Sequence, residues 1–345
     1  LRPDSSNNEV FQTLEARLLK GQILGVLRAL KRNPNIHFAL ADQEFLIRFS
    51  LSGNTTFLSF DPPGAQGELP LKRDDLLVRA WTEHPDVVYQ LQHEFDAIWK
   101  KIDPRWRTDN EQGRQNVVMF FVTEPLKALL DANVPGQELW PFMHELIEHA
   151  TYLDAESYIR EVYTYEQVAK EIFMLSSNFP LITMPADIGP WDSRSSLRTR
   201  QILFHALLRD IKSVRLVISQ NRCEDYWKTG RYEMYKFNRE WIAQHVQYLH
   251  NLLLKFPDKI TLEIIPQQDQ FPVNFEVING EYVIFQKVEK AEEQGGIVLH
   301  DQELAEKLVA YIDRNFSSTC PKHLKGAKNV AKWFEERFGV TASGT

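Results

Sequence analysis

The chain has little cysteine and no long apolar run. Cys223 and Cys320 are its two cysteines, in 345 residues. Secreted domains that depend on disulfides carry more cysteines, in even-numbered clusters. We therefore expect two free thiols in a reducing, cytoplasmic environment. The longest apolar runs, such as 117–122, are much too short to cross a bilayer, so we expect no membrane partner.

Excess positive charge is missing as well. The net charge is −7 at pH 7, whereas a protein whose whole surface binds nucleic acid needs a positive field. One stretch departs from this balance, because residues 194–240 hold eleven Lys and Arg against five Asp and Glu. Hydrophobic residues make up 43% of the chain, which is typical of a globular protein with sizeable cores.

Hydrophobic spacing divides the chain into helices and strands. The predicted helices are 8–33, 85–102, 116–130, 138–152, 155–175, 195–212, 239–256, 301–315 and 329–338. The predicted strands are 36–40, 45–49, 56–60, 214–219, 260–265, 274–278 and 281–288, the last two joined by a tight Asn279-Gly280 turn. Helices that alternate with strands from 195 to 316 predict a mixed α+β (α/β) fold with helices packed on a β-sheet.

The strand-turn-strand pattern occurs twice. Residues 37–47 align with residues 274–284, and each copy is followed by an amphipathic helix that begins near an aspartate, Asp86 or Asp301. A unit repeated in this way predicts two structurally related lobes.

The second copy resembles the closing part of a phospholipase D-like domain. The hairpin at 274–288, the Gly295-Gly296 segment, which we expect to be a loop turn, and the helix from Asp301 to Phe316 carry the resemblance, and residues 195–219 resemble the opening part. Such tails occur in effector domains of bacterial helix-turn-helix transcription regulators that lack the catalytic motif. The resemblance covers 155–316, and residues 30–103 for the tail of the fold only.

The resemblance also implies a domain layout. Residues 1–112 would form a first, incomplete phospholipase D-like lobe, and 113–154 a helical connector. Residues 155–316 would form the second lobe, and 317–345 a C-terminal helix and tail.

The catalytic motif of the family is degenerate in both copies. Active members carry His-x-Lys-x4-Asp, in which the histidine is the nucleophile and the lysine steadies the phosphate oxygens. At these positions the first copy has His37, Ala39 and Glu44, and the second has Asn274, Glu276 and Glu281. Both lysines and one histidine are missing. Because a phosphate facing Glu276 would be repelled, the sequence predicts no catalysis. We also expect no cofactor.

Five residues of the basic stretch are candidates for contacting a small anionic or planar ligand. They are Arg198, Arg222, Trp227, Arg231 and Tyr235. Segment 220–237 is long and aromatic, which favours a functional loop. The alternative is an ordinary solvated surface with a loop packed onto the domain.

Other chemistry is disfavoured. His144 and His149 are five positions apart, about 140° around a helix, so they do not share a face as metal ligands would. His245 lies within an apolar stripe, which is typical of a hydrogen-bonded core histidine. We expect no metal site.

Three functions remain open. The first is a non-catalytic, ligand-sensing or oligomerising effector module of a bacterial transcription regulator, a homo-oligomer that contacts DNA only through a domain preceding Leu1. The second is a divergent phosphodiester hydrolase that uses His37, Glu276 and Glu281. The third is a protein–protein scaffold.

Overall fold

The structure is a computed structural model that describes residues 14–33, 36–40, 47–52, 55–60, 78–150, 155–177, 179–189, 196–232, 235–266, 273–288 and 294–341. These residues divide into two compact units, one over 14–121 and one over 122–341. Each unit has its own sheet and helices. No helix of the described residues is long and apolar enough to cross a membrane.

Ten helices and eleven strands occur in the described ranges. The helices are α1 (Leu14–Arg32), α2 (Pro85–Lys101), α3 (Glu111–Asp131), α4 (Gly136–Ala150), α5 (Ala155–Glu166), α6 (Ser196–Leu207), α7 (Gln220–Thr229), α8 (Arg239–Lys255), α9 (Gln302–Ile312) and α10 (Ala327–Phe338). The strands are β1 (Ile47–Ser52), β2 (Thr55–Phe60), β3 (Val78–Thr82), β4 (Glu171–Ser176), β5 (Ser213–Ser219), β6 (Arg231–Tyr232), β7 (Tyr235–Lys236), β8 (Ile260–Ile265), β9 (Phe275–Ile278), β10 (Tyr282–Val288) and β11 (Gln294–His300).

The unit over 14–121 contains a three-stranded antiparallel meander, β1-β2-β3. Residues 36–40 are not a strand of this meander, contrary to the sequence prediction. Ala39 instead forms a bridge with Arg107, and the Thr108 amide donates to the Phe38 carbonyl at 2.8 Å. Residues 41–46, which would hold the turn of the first repeat, lie outside the described residues, so the internal repeat stays a prediction.

The unit over 122–341 is built on a six-stranded sheet of order β11-β10-β9-β4-β5-β8. Strands β4, β5 and β8 are parallel, whereas β9, β10 and β11 pair antiparallel with their neighbours. Parallel neighbours need a crossover, and α6 and α8 supply it. The predicted mixed α/β class, with helices packed on a sheet, is confirmed.

Both faces of this sheet are buried. On one face, Leu216 and Leu262 join a core with Phe334 of α10 and Val246 of α8. Phe173 of β4 is oriented to the other face, where its ring centroid lies 5.9 Å from that of Phe275 on β9. That face is covered by α4 and α9. Strands buried on both sides read as continuous apolar runs rather than as alternating ones.

This property explains the largest error in the predicted elements. Residues 155–175 were predicted as one helix, but α5 ends at Glu166 and β4 begins at Glu171. Five of the six residues of β4 are buried, so the strand shows no period of two. A short apolar run of this kind cannot be distinguished from a buried helix turn by periodicity alone.

Two further predictions are wrong in detail. Segment 220–237 is not a loop, because α7 occupies its first ten residues and β6 and β7 form a small antiparallel pair. The pair Gly295-Gly296 is not a loop turn, because both glycines belong to β11 and pair with Lys287 and Gln286 of β10.

The Asn279-Gly280 hairpin prediction is confirmed. Both residues have positive φ, 55° and 70°, and the Glu281 amide donates to the Ile278 carbonyl at 3.1 Å, which closes the turn. The side-chain oxygen of Asn279 also accepts hydrogen bonds from the amides of Lys170 and Glu171, at 2.7 and 3.2 Å. The turn is therefore attached to the beginning of β4. The proposed domain boundaries at 112, 154 and 316 stay predictions.

Phe179 offers a test of the larger core. It is fully buried and its ring lies near those of Tyr226, Phe334 and Phe338. Phe179→Ala leaves a cavity, and we expect it to lower the free energy of unfolding by about 3–5 kcal/mol in urea denaturation. Ile202→Ala, at a side chain that is 54% exposed, is the control and should change it by less than about 0.5 kcal/mol. Equal effects would contradict this description of the core.

Candidate functional site

The candidate site is centred on β9, because β9 contains Glu276, a position where the sequence resemblance predicts a degenerate catalytic motif. Glu276 pairs across the sheet with Met174 of β4 and Ile284 of β10. It is 7% exposed and lies at the edge of an apolar core. The carboxyl group is thus buried between two helices and the sheet, and is not presented to solvent.

Arg200 of α6 joins Glu276 to a second buried carboxylate. Its Nε donates to both carboxylate oxygens of Glu166, at 3.1 Å each, and its Nη2 also contacts that group. Nη2 reaches Oε2 of Glu276 at 3.4 Å, a long hydrogen bond. Oε1 of Glu276 is buried and has no hydrogen-bond partner in the described ranges. Arg200 therefore neutralises Glu166 first and Glu276 only weakly.

Burial raises the pKa of Glu276, from its ordinary 4.5 to about 8, with the Glu166 carboxylate adding to the rise and Arg200 opposing it. The dominant cause is the loss of hydration, because a carboxylate in a low-dielectric environment is costly. Tyr163 of α5, near Arg200, has its pKa raised by burial too. At neutral pH the cluster therefore consists of one carboxylate, one guanidinium and one protonated carboxyl group, with no net charge.

The other two motif positions of the second copy are also explained. The side-chain oxygen of Asn274 accepts a hydrogen bond from the amide of Ser177 at 2.9 Å, which attaches the beginning of β9 to the end of β4. Glu281 is exposed and follows the turn at the opposite end of β9. Its carbonyl accepts from the amide of Asp301, the N-cap of α9. The described contacts of these two residues support the hairpin.

In the first copy, His37 and Ala39 are within the described residues, and Ala39 forms the bridge with Arg107. His37 is exposed, and its Nδ1 lies 3.4 Å from the carbonyl oxygen of Thr108. Glu44 lies outside the described residues.

The five ligand-binding candidates lie on four elements. Arg198 is partly exposed on α6, Arg231 is exposed on β6, and Tyr235 belongs to β7, where its side chain is not described. Arg222 and Trp227 are both on α7, but five residues apart, which puts them about 140° from each other around the helix axis. The five do not share one element or one helix face, and their binding role stays a prediction.

Trp227 takes part in packing. The guanidinium carbon of Arg239 lies 4.4 Å from its ring centroid, and the Phe338 ring lies 5.0 Å away. Arg239 also donates to the Trp227 carbonyl. These contacts fasten α7 to α8 and α10, as the alternative of a segment packed onto the domain requires.

His245 is confirmed as a core histidine. It is fully buried, with Nε2 3.1 Å from the Thr183 hydroxyl and Nδ1 3.2 Å from the Tyr226 hydroxyl. Burial lowers its pKa to about 3, so the ring is neutral at physiological pH. Burial likewise raises the pKa of Cys320 to about 11 and keeps this thiol protonated.

The sequence analysis did not identify Glu166 or Arg200. Glu166 ends a helix whose boundary the pattern missed, and Arg200 is one of eleven basic residues in its stretch. Their contact with Glu276 joins positions 76 and more residues apart, so no local spacing could have revealed it. Among the described residues, no group of three or more His, Cys, Asp or Glu could hold a metal ion.

Comparisons with known proteins give little further information. No protein-family model and no curated protein matches the chain. Among solved structures, the crystal structure of phosphatidylserine synthase from Haemophilus influenzae Rd KW20 aligns with 95% of this chain and 76% of its own, at 11% sequence identity and a TM-score of 0.30. A backbone agreement of this size supports no inference about fold or function.

The buried carboxyl group predicts a specific pH dependence. Because the folded pKa of Glu276 is raised, its contribution to stability is complete below pH 4.5 and is lost as the pH rises toward about 8. Glu276→Gln keeps the shape without the ionisation. We expect this variant to be more stable than the original chain by roughly 2–4 kcal/mol at about pH 9, and nearly equal to it at about pH 4.5, in urea denaturation.

Glu281→Gln is the matched control, because Glu281 is an exposed carboxylate on the same hairpin. Its unfolding free energy should follow that of the original chain at every pH. If Glu276→Gln also ran parallel to the original chain, the carboxyl group of Glu276 would not be protonated in the folded state.

Proposed function

We propose that this chain is a non-catalytic, ligand-binding effector module of a bacterial transcription regulator, built on a phospholipase D-like scaffold. The sequence resemblance of residues 155–316 motivates this assignment. In this proposal DNA is bound by a separate helix-turn-helix domain, and residues 194–240 contribute to ligand binding or to the surface of the module.

The observation that carries the proposal is the environment of Glu276. At this position the family needs a cation that holds phosphate oxygens. Here a buried carboxyl group occupies it, and the guanidinium that contacts this group, that of Arg200, is bound through Nε and Nη2 by Glu166. Arg200 is therefore committed to an internal ion pair. A phosphodiester placed at β9 would find neither the lysine nor a histidine nucleophile.

An activity assay tests the proposal directly. We expect no hydrolysis of bis(p-nitrophenyl) phosphate or of phosphatidyl substrates above the rate of a buffer control, with or without divalent cations. His37→Ala and Glu276→Gln should leave this background unchanged. A turnover that His37→Ala abolishes would support the alternative of a divergent hydrolase and overturn the non-catalytic assignment.

Homo-oligomerisation is the second part of the proposal. Three large side chains of α2, Val87, Tyr89 and Phe95, are 40%, 66% and 44% exposed. Tyr89 and Phe95 lie about 120° apart around the helix axis, so in this proposal a second copy of the chain covers two adjoining sides of α2.

We expect light scattering of the purified protein to give a mass above the 40.3 kDa of one chain. Tyr89→Lys combined with Phe95→Lys should reduce the mass to that of a monomer, because burying two lysines at an interface is costly. Leu254→Lys, at an exposed leucine outside α2, should leave the oligomer intact. A monomeric original chain would contradict this part of the proposal.

A further inference from the structure

The N-terminal end of α7 holds two buried polar atoms that have no hydrogen-bond partner among the described residues. Ser219 is 1% exposed, and its hydroxyl oxygen makes no hydrogen bond within the described part of the chain. Arg222 follows three residues later, and its Nε is also buried without a partner there. A buried hydroxyl or guanidinium N–H left unsatisfied costs free energy, so each such group needs an explanation.

The position of Ser219 makes its lack of a partner more informative. It is the N-cap residue of α7, where a serine side chain normally accepts a hydrogen bond from an amide of the first helical turn. Here the side chain makes no such bond. The hydroxyl is thus at the end of the helix where amide groups lack intrahelical acceptors, and it does not cap them.

Arg222 carries the wrong charge for its place. It is the third residue of α7, where the partial positive charge of the helix dipole disfavours a cation. At this position a glutamate would complete a capping box with the serine. Residues at the N-cap and third positions of a helix lie on the same side of its first turn, and Ser219 and Arg222 occupy these two positions of α7. The N-terminus of α7, the Ser219 hydroxyl and the Arg222 guanidinium are all hydrogen-bond donors, and the first and last of them carry positive charge or partial positive charge.

The surrounding carboxylates do not supply the missing negative charge. Glu224, on the next part of α7, accepts from Gln220 and is paired with Arg337 and Lys228. Glu263, next to the strand end, is paired with Arg215. Arg222 has neither a hydrogen bond nor an ion pair within the described ranges.

The site lies where open α/β sheets bind ligands. Ser219 ends β5, the middle strand of the three parallel strands β4, β5 and β8, and α7 starts directly after it. Ligands of such sheets bind outside the carboxyl ends of the strands, often at the N-terminus of the helix that follows. Arg222 is partly exposed although its Nε is buried, so its side chain extends from the interior to the surface.

We propose that the N-terminal end of α7, with Ser219 and Arg222, binds a phosphoryl group. A tetrahedral oxyanion presents acceptors in three directions and can take the hydroxyl, the guanidinium and first-turn amides at once. This inference rests on the proposed binding function and names its ligand class. It assigns the ligand to α7 rather than to the degenerate motif on β9.

Calorimetric titration of the full chain with inorganic phosphate tests the proposal, at constant ionic strength against a sodium chloride reference. We expect saturable binding. Arg222→Gln should weaken it at least about tenfold, because a charge-assisted hydrogen bond is lost. Arg314→Gln is the matched control, since Arg314 is an exposed arginine outside the basic stretch and this variant should bind phosphate as the original chain does.

Ser219→Ala separates binding from folding. Without phosphate it removes a buried hydroxyl that has no partner, so the thermal unfolding midpoint should stay or rise. Added phosphate should raise the unfolding midpoint of Ser219→Ala less than it raises that of the original chain. No heat of binding in the original chain would overturn the site. Equal weakening in R222Q and R314Q would also overturn it and would indicate non-specific attraction to positive charge.

A second titration identifies the source of the phosphoryl group. Glycerol 3-phosphate represents a soluble monoester, and vesicles of phosphatidic acid represent a lipid headgroup, with phosphatidylcholine vesicles as reference. Whichever competes with inorganic phosphate in the original chain, but not in R222Q, is the preferred source. If the chain hydrolysed phosphodiesters and still bound phosphate, only the non-catalytic assignment would be refuted. If it neither hydrolysed phosphodiesters nor bound phosphate, only the site on α7 would be refuted.

Discussion

The pairing of β9 with β4 is the constraint on which the larger unit depends. Leu175 pairs with Phe275, a hundred positions later in the chain, and this contact inserts the C-terminal hairpin beside the parallel strands. The side chains of Asn274 and Asn279 reinforce it from both ends of β9 by accepting amide hydrogen bonds from β4 and the residues beside it. The six strands pair in a single register because these polar contacts and the apolar cores on both faces favour the same alignment.

The same pairing decides the chemistry at Glu276. A carboxyl group at this point of β9 is carried into the interior, where hydration is lost and Arg200 and Glu166 are its polar neighbours. A buried ion pair is weak evidence of stability, since desolvation offsets much of the attraction. Its clearer consequence concerns protonation. Because Arg200 is held by Glu166, the carboxyl group of Glu276 is stable in the neutral form. A scaffold arranged in this way is suited to holding a shape rather than to stabilising a developing negative charge.

The candidate ligand site on α7 follows from a different part of the same sheet. The parallel strands direct their carboxyl ends to one edge, and a helix begins there without a side-chain cap. The Glu276 cluster and the α7 site depend on separate residues, Glu276 on the one hand and Ser219 with Arg222 on the other. The chemistry at the first therefore sets no condition on binding at the second.

The sequence alone determined the fold class, most helices, the Asn279-Gly280 turn and the absence of lysine at positions 39 and 276, because these depend on local spacing and residue type. It also identified His245 as a core residue, since its apolar stripe is visible in the helix. It did not determine β4, because a strand buried on both faces has no periodic pattern, nor the buried cluster of Glu166, Arg200 and Glu276.

Tertiary structure alone decided that Glu276 is protonated and enclosed rather than facing solvent. The sequence analysis treated it as an anion that repels phosphate, which is the behaviour of a hydrated carboxylate. Hydration is a property of the environment and not of the residue, and three elements distant in the chain create that environment. The same holds for Ser219 and Arg222. Their spacing resembles an ordinary helix start, and only the structure shows that the Ser219 hydroxyl and the Arg222 Nε are buried without a hydrogen-bond partner among the described residues.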